Sequence, residues 1–226
     1  MESRIPAAFE AEHEELSASS EPAARLPPRL EARALRRLHV GPTDLTIERG
    51  TCVSIAGQSG SGKSVLLRMI ADLDPHDGDA FLDGRACSRM PAPAWRHRVT
   101  YVAAESGWWD ESVGVHFAAG TDFATLLPSV GLPAEASGWP VARLSTGERQ
   151  RLALLRALGP DNRVLLLDEP TSGLDEASVA LVEAVLRERL ARGTAILLVT
   201  HDPDQAARMA SRHLELRDGR LGERTT

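Results

Sequence analysis

The 226-residue sequence has only two cysteines, Cys52 and Cys87, and they lie in different segments. Two separated cysteines form neither a metal-binding spacing nor a disulfide framework, so a reducing compartment is expected. No run approaches the ~18 apolar residues of a membrane-spanning helix. The N-terminus also lacks the basic start and apolar stretch of a signal peptide. We therefore expect a soluble protein whose connection to a membrane would run through a partner.

Positive charge is also scarce. The chain has 26 Lys and Arg against 32 Asp and Glu, a formal net charge of −6, and no long basic run. This balance gives no support to a nucleic-acid partner. Hydrophobic residues make up 42% of the chain, which is enough for one substantial core.

The chain divides by composition into a tail and a domain. Residues 1–28 are rich in Glu, Ala, Ser and Pro and are expected to form a disordered acidic tail. In 29–226, the apolar runs "TCVSIAG", "RVLLLDEP" and "AILLVTHD" are each followed by a helical pattern, which predicts an α/β fold with a parallel sheet. Two earlier strands around a turn at Gly41-Pro42 predict a small antiparallel part. Residues of about 105–158 break the alternation and are expected to be an inserted helical subdomain.

The segment "GQSGSGKS" matches the P-loop pattern G-x-x-x-x-G-K-[ST] between a strand and a helix. Its glycines let the backbone approach phosphates, while Lys63 can reach the β- and γ-phosphates and the Ser64 hydroxyl can bind Mg²⁺. A chance Gly/Ser turn is the weaker alternative in this context. The expected ATP-binding residues are Gly57, Gln58, Ser59, Gly60, Ser61, Gly62, Lys63, Ser64 and Val65.

Two carboxylates follow the apolar run "RVLLL". Strand ends of this kind form the ligand edge of open α/β sheets. We expect Asp168 to hold Mg²⁺ with Ser64, and Glu169 to orient and deprotonate an attacking water. Acidic residues at the end of a strand are common and often have no catalytic role. The functional interpretation is favoured here because the same chain contains the P-loop.

The order of further motifs is more specific than any one of them. "LSTGE" precedes the "LLLDEP" strand by one helix, and "TSGLDEAS" and "LLVTHD" follow it. This combination resembles the ATPase subunits of ABC transporters over residues of about 30–222. The resemblance implies a P-loop NTPase fold of the ABC ATPase type, a mixed or parallel sheet with a small antiparallel part and an inserted helical subdomain, and hydrolysis of ATP with Mg²⁺.

The resemblance also implies a head-to-tail dimer. In it each ATP lies between the P-loop of one copy and the signature turn of the other, which is the segment "LSTGE" (residues 144–148). Ser145 and Gly147 would contact the γ-phosphate across the dimer, and His201 would contact it from the P-loop side. The residues expected to face ATP of the second copy are Ser145, Thr146, Gly147, Glu148 and Asp175. The catalytic set is Glu169, His201 and Lys63. Ser145 and Glu148 also fit an S-x-x-E capping box, and both roles are compatible. Arg149 and Arg151 are expected on a solvated helix face.

The sequence departs from the family at three places. Ala104 stands where the family has a glutamine that helps to hold Mg²⁺, and the adjacent Glu105 is expected to point the other way. The segment "RALRRLHVGP" ahead of the P-loop has no Tyr, Phe or Trp to stack on adenine, which leaves Arg37 or His39 for that role. Thr146 replaces a small glycine of the signature turn.

Trp108 and Trp109 follow Ala104, where the family's helical subdomain meets its membrane partner. Two adjacent tryptophans cannot both be buried on one face, so either one is an interface anchor or the pair belongs to the subdomain core. The resemblance implies an ATPase that drives a multi-span permease from the cytoplasmic side of the membrane, with export favoured over import. The alternatives are a soluble ABC-type ATPase and an ATP-binding module of low turnover.

Overall fold

The computed structural model describes residues 26–224, which form β-strands, α-helices and short 3-10 helices. Most of the expected acidic tail, residues 1–25, lies outside the described residues. Residues 26–28 have no regular structure and lead directly into the first strand. No helix within 26–224 is both long enough and apolar enough to cross a membrane.

The central sheet has six strands in the order β10-β9-β3-β8-β7-β6. They are β3 (Cys52–Ala56), β6 (Val99–Val102), β7 (Val164–Asp168), β8 (Ala195–Val199), β9 (Arg212–Arg217) and β10 (Arg220–Glu223). The first five run parallel, and β10 pairs antiparallel with β9. Every residue of β7 and β8 is buried, as expected for strands covered on both faces. The predicted parallel sheet is therefore confirmed.

A second, antiparallel sheet has the order β2-β1-β4-β5. Its strands are β1 (Leu30–Arg37), β2 (Val40–Ile47), β4 (Asp77–Leu82) and β5 (Arg85–Ala86). The turn predicted at Gly41-Pro42 is wrong, because the β1–β2 hairpin turns at Leu38 and His39, and Gly41 lies inside β2. A side chain at Gly41 would place its Cβ 2.1 Å from the Leu35 carbonyl oxygen. The glycine therefore serves a close cross-strand contact rather than a turn.

Within residues 26–224, six α-helices connect and cover the sheets. They are α1 (Lys63–Ile70), α2 (Ala92–Arg98), α3 (Phe123–Leu126), α4 (Thr146–Ala157), α5 (Glu176–Ala191) and α6 (Pro203–Met209). Helix α1 buries Leu66, Leu67, Met69 and Ile70 and packs against β6 and β7. This packing directs the start of α1 toward the carboxyl edge of the central sheet.

Trp95 of α2 is the largest fully buried side chain. Its ring lies in the core between the two sheets, and its Nε1–H donates to the carbonyl of Ile70 at 3.0 Å. The indole thereby satisfies a carbonyl at the end of α1 and joins α2 to the helix that follows the P-loop.

Between β6 and β7 the chain leaves the sheet, as the predicted insertion requires. Its regular elements are α3, α4 and several short 3-10 turns, so only part of it is α-helical. Pro128, Pro133 and Pro140 lie in or beside those turns and prevent longer helices. A separate apolar cluster holds the segment together. The division into a core and an inserted subdomain remains a prediction.

Candidate active site

The loop between β3 and α1 is shaped by glycines. Gly62 precedes α1 with a φ of 102°, and a Cβ at this position would lie 2.2 Å from Cγ2 of Val40. Both its backbone angle and its contact therefore require glycine. The loop residues Gln58, Ser59 and Gly60 are exposed, so their backbone is open to a ligand.

Lys63 lies inside this loop. Its ammonium group donates to the carbonyls of Gly57 at 2.8 Å and Gln58 at 2.9 Å. The lysine is thus curled over its own loop, where a phosphate oxygen would compete with those carbonyls. Ser64 is exposed in the first turn of α1, so its hydroxyl is available to a ligand of the same loop.

Of the two residues considered for adenine stacking, only His39 lies beside the P-loop. It lines a pocket with Gln58, Ser59, Gly60 and Ser61. Arg37 instead pairs with Asp74, with Nε 3.7 Å from the carboxylate, and donates to the Pro75 carbonyl at 2.6 Å.

Asp168 ends β7 and is 5% exposed. The hydroxyl of Tyr101, on the neighbouring strand β6, donates to Asp168 Oδ2 at 3.0 Å. Burial of the ring, followed by the nearby Asp168 carboxylate, raises the pKa of Tyr101, so the phenol keeps the proton it donates. Asp168 therefore enters the site as an oriented carboxylate.

Glu169 has a backbone φ of +50°, a left-handed conformation that costs a non-glycine residue about 1–2 kcal/mol. Two backbone hydrogen bonds hold it there. Its N–H donates to Val199 O at 2.9 Å, and Gln150 Nε2 donates to its carbonyl at 2.7 Å. Its carboxylate accepts from His201 Nδ1 at 2.8 Å. The strain is of the kind that clusters at functional positions.

The turn before α4 forms the capping box expected from the sequence. The Ser145 hydroxyl accepts from Glu148 N at 3.2 Å, and Glu148 Oε2 accepts from Ser145 N at 2.8 Å. The hydrogen bond from the Ser145 backbone is the main cause that lowers the pKa of Glu148. The hydroxyl accepts in this cap, so its own hydrogen remains available to a ligand. Ser145 and Thr146 are both exposed.

The remaining sequence-predicted residues have helix-capping or packing roles. Asp175 is the N-cap of α5, and the Ser178 N–H that it accepts at 2.7 Å lowers its pKa. Arg151, expected on a solvated face, is half-buried and donates to the Val130 carbonyl at 2.6 Å. That expectation was wrong for Arg151, because α4 packs on this side against the short 3-10 helix at Leu127–Val130. Arg149 is exposed, as expected.

A cleft of about 490 Å³ lies beside Glu169. Its lining residues are Ala104, Glu105, Ser106, Trp108, Thr146, Arg149, Gln150, Glu169 and Ser172. The methyl group of Ala104 supplies no polar atom here, and Glu105 is exposed. The cleft thus extends from Thr146 of the signature turn past Glu169 to Trp108.

The tryptophan pair is held by two side chains that sequence reasoning did not assign. His116 Nε2 accepts from the backbone N–H groups of Trp109 at 3.0 Å and Asp110 at 3.1 Å. The guanidinium of Arg156 lies 4.8 Å from the ring centroids of both Trp108 and Trp109. Trp108 packs on the apolar cluster of the insertion, while Trp109 is 71% exposed. Trp108 therefore belongs to the core of the inserted segment, while a role for the exposed Trp109 as an interface anchor remains a prediction.

The chain matches the family model described as "ABC transporter" over residues 40–172. It belongs to the ABC transporter family. Two relatives are named as aliphatic sulfonates import ATP-binding proteins. The one from Frankia alni is 41% identical over 80% of this chain and 72% of its own length, and the one from Burkholderia pseudomallei is 39% identical over 85% and 59%. A Streptomyces coelicolor relative named as an Fe(3+) ions import ATP-binding protein is 41% identical over 77% of this chain and 53% of its own.

The fold is that of an ABC ATPase. The dimeric post-hydrolysis state of the ATP-binding cassette MJ0796 bound to ADP and Pi superposes with a TM-score of 0.74 at 23% identity, over 87% of this chain and 100% of that one. The chain is accordingly an ATP-binding and ATP-hydrolysing subunit of the ABC type. The family membership, the fold class and the ATPase activity that the resemblance implied are confirmed.

The residues present fit a magnesium ion. Ser64 and Asp168 offer hard oxygen ligands of the kind that Mg²⁺ prefers, and α1, which carries Ser64, packs against β7, which ends at Asp168. Within residues 26–224 no cluster of three His, Cys, Asp or Glu side chains could hold a metal by itself. Phosphate oxygens and water would therefore complete the shell.

Lys63 provides a direct test of the nucleotide site, because it is the only lysine in the sequence. We expect an amine-acetylating reagent to modify Lys63 and the terminal amine alone. Saturating Mg-ATP should slow modification of Lys63 about tenfold or more, because bound phosphate occupies its ammonium group. Peptide mass spectrometry measures both rates in one sample, with the terminal amine as internal control. Equal rates at Lys63 with and without ATP would contradict the site.

Proposed function

We propose that two copies of this chain pack head to tail around two Mg-ATP molecules and drive a multi-span membrane permease. The observation that carries the proposal is the exposed signature turn. Ser145 and Thr146 face solvent at the start of α4. The Ser145 hydroxyl hydrogen is free, and within the described residues the N–H groups of Thr146 and Gly147 make no hydrogen bond, whereas those of Ser145 and Glu148 are used in the capping box. A phosphate-binding helix end that faces outward is suited to a ligand held by another copy.

In the proposed mechanism the nucleotide is held mainly by the P-loop backbone and Lys63. Bound Mg²⁺, held by Ser64 and Asp168, would neutralise negative charge on the phosphates. Glu169 accepts a proton from the attacking water, and its strained backbone keeps the carboxylate at the strand end. His201, bonded to that carboxylate at 2.8 Å, contributes a polar group on the γ-phosphate side.

Across the proposed dimer, the Ser145 hydroxyl, the Gly147 backbone and neighbouring Thr146, Glu148 and Asp175 would face ATP of the second copy. Closure would bring these groups to the phosphate, and hydrolysis would release them. Because hydrolysis needs both halves, the permease can be coupled to one cycle of closing and opening.

The permease contact is proposed at Trp109 and the adjoining cleft. An exposed tryptophan with a rigidly held backbone is a suitable interface anchor. The relatives are named as import ATP-binding proteins, which supports a membrane partner over a free ATPase and favours import over the expected export. The subunit would then lie on the cytoplasmic face of the membrane. Because relatives of similar identity are named for sulfonates and for Fe(3+), the proposal assigns no cargo.

The head-to-tail arrangement is tested by mixing two inactive variants of the full chain. Lys63→Ala removes the P-loop cation, and Thr146→Glu puts a carboxylate against the partner's phosphate. Glutamate in the first turn of α4 also suits the helix dipole, so folding should be kept. Each variant alone is expected to be inactive. Their mixture should recover up to about a quarter of wild-type ATPase activity, since half of the dimers are mixed and each has one complete site.

The matched control is Thr46→Glu, at an exposed threonine of β2. By itself, Thr46→Glu should have wild-type ATPase activity. Its mixture with Lys63→Ala should show only the activity that the Thr46→Glu subunits contribute. A mixture of Lys63→Ala and Thr146→Glu that stays inactive after subunit exchange would overturn the shared site.

A further inference from the structure

The Asp168 carboxylate has an unusually sparse set of partners. It is 5% exposed, and its one hydrogen bond within the described residues comes from the Tyr101 hydroxyl at 3.0 Å. A carboxylate has about four acceptor positions. The ammonium group of Lys63 donates to the carbonyls of Gly57 and Gln58 and not to this carboxylate. Tyr101 is therefore what fixes the rotation of this side chain.

Strand register explains why Tyr101 reaches Asp168. In the parallel pair of β6 and β7, Tyr101 lies opposite Leu166, two residues before Asp168. Side chains two apart in a strand share a face. Tyr101 and Leu166 pack in the cluster that contains the buried face of α1. Tyr101 and Asp168 thus lie on the side of the sheet that carries the P-loop helix.

The same segment lacks an oxygen ligand that the resemblance led us to expect. Ala104, three residues after Tyr101, has no polar side-chain atom, and Glu105 is exposed at the cleft. The protein ligands available to the metal ion are therefore Ser64 and Asp168. Because the protein supplies so few ligands, the affinity for the metal ion should depend more strongly on the orientation of Asp168.

We infer that Tyr101 is a positioning residue for magnesium: its hydroxyl occupies one oxygen of Asp168 and presents the other to the metal ion of the nucleotide site. The inference rests on the proposed Mg-ATP site. Tyr101 touches neither ATP nor water in this role and acts only through Asp168.

The first test measures Mg²⁺ rather than turnover. A fluorescent ATP analogue is bound to the full chain, and Mg²⁺ is titrated into it. In Tyr101→Phe, which removes only the hydroxyl, the Mg²⁺ concentration at half-effect should rise about tenfold, as is typical when a partner of a metal ligand is lost. Affinity for the analogue in EDTA should stay within about twofold, because the P-loop is unchanged.

Ser54→Ala is the matched control. Ser54 on β3 is buried and bonded to His213 Nδ1 at 2.8 Å, so the variant also loses a buried hydrogen bond, but one that does not reach Asp168. It should leave the Mg²⁺ midpoint unchanged. Ala104→Gln in the Tyr101→Phe background should bring the midpoint back toward the wild-type value by supplying an amide oxygen.

A second readout leaves the protein's sequence intact. Tyr101 is the only tyrosine in the chain, so 3-fluorotyrosine gives one ¹⁹F resonance. Adding Mg²⁺ to the nucleotide complex should shift that resonance beyond the effect of nucleotide in EDTA, and this result decides the matter even if Tyr101→Phe folds poorly. An unchanged Mg²⁺ midpoint in a folded Tyr101→Phe, or an unmoved resonance, overturns the inference. Failure of the wild-type chain to bind nucleotide at all would instead refute the proposed function.

Discussion

Glu169→Gln is expected to lower ATP hydrolysis by about 10²–10⁴-fold, the usual contribution of a positioned general base. The amide is nearly the same size as the carboxylate but cannot accept the water proton at neutral pH. The bonds that hold residue 169 in place use its backbone, to Val199 and Gln150, so the strained turn should persist. ATP binding should therefore survive the loss of turnover. Steady-state phosphate release and nucleotide binding, measured on the same preparation, separate the two.

Glu176→Gln is the control for this substitution. Glu176 begins α5 and is exposed, and no role in hydrolysis is proposed for it, so its amide variant should hydrolyse ATP at the wild-type rate. Activity of Glu169→Gln within a few-fold of wild type would show that another group takes the proton.

Trp95→Ala is expected to have the largest effect on stability, about 3–5 kcal/mol of the free energy of unfolding. The substitution leaves a cavity between the two sheets and removes the donor to the Ile70 carbonyl, which is then buried without its partner. Because that carbonyl ends the P-loop helix, nucleotide affinity should fall together with stability. Urea unfolding followed by circular dichroism gives the magnitude.

Trp109→Ala provides the comparison. The ring is 71% exposed, so its loss should cost about 1 kcal/mol or less and leave ATP hydrolysis by the isolated subunit intact. Equal destabilisation by both variants would contradict the burial of Trp95.

The parts of the site that the sequence could predict are those formed by adjacent residues. A strand, a glycine-rich turn and a helix form the P-loop within a few residues of each other, while Asp168 ends its strand and Glu169 follows directly. The S-x-x-E cap at Ser145 is likewise local. Each of these depends on backbone rules that act over one turn or one strand end.

What escaped prediction depends on contacts distant in sequence. Tyr101 meets Asp168 only through the register of β6 and β7, and Gln150 meets Glu169 only through the docking of α4. The hairpin turn was misplaced because Leu38 adopts a positive φ of 53° there, which a leucine rarely does. The sequence does contain one signal that Gln150 faces the site. Gln150 lies four residues after Thr146 on α4 and therefore shares a helix face with the signature turn.

Helix α4 connects the signature turn, Glu169 and the tryptophan pair, which have different proposed roles. It begins at the signature turn, its Gln150 is bonded to the backbone of Glu169, and Arg156 in its last turn donates to the Gly107 carbonyl at 3.1 Å beneath the tryptophan pair. Twelve residues of α-helix form a rod about 18 Å long. A force on the tryptophans would therefore tilt the helix, and the signature turn at its other end, which we propose to face the second copy, would move with it. Movement of the tryptophans at the proposed permease contact and movement of the signature turn relative to the phosphate would then be coupled, because one rigid helix carries both.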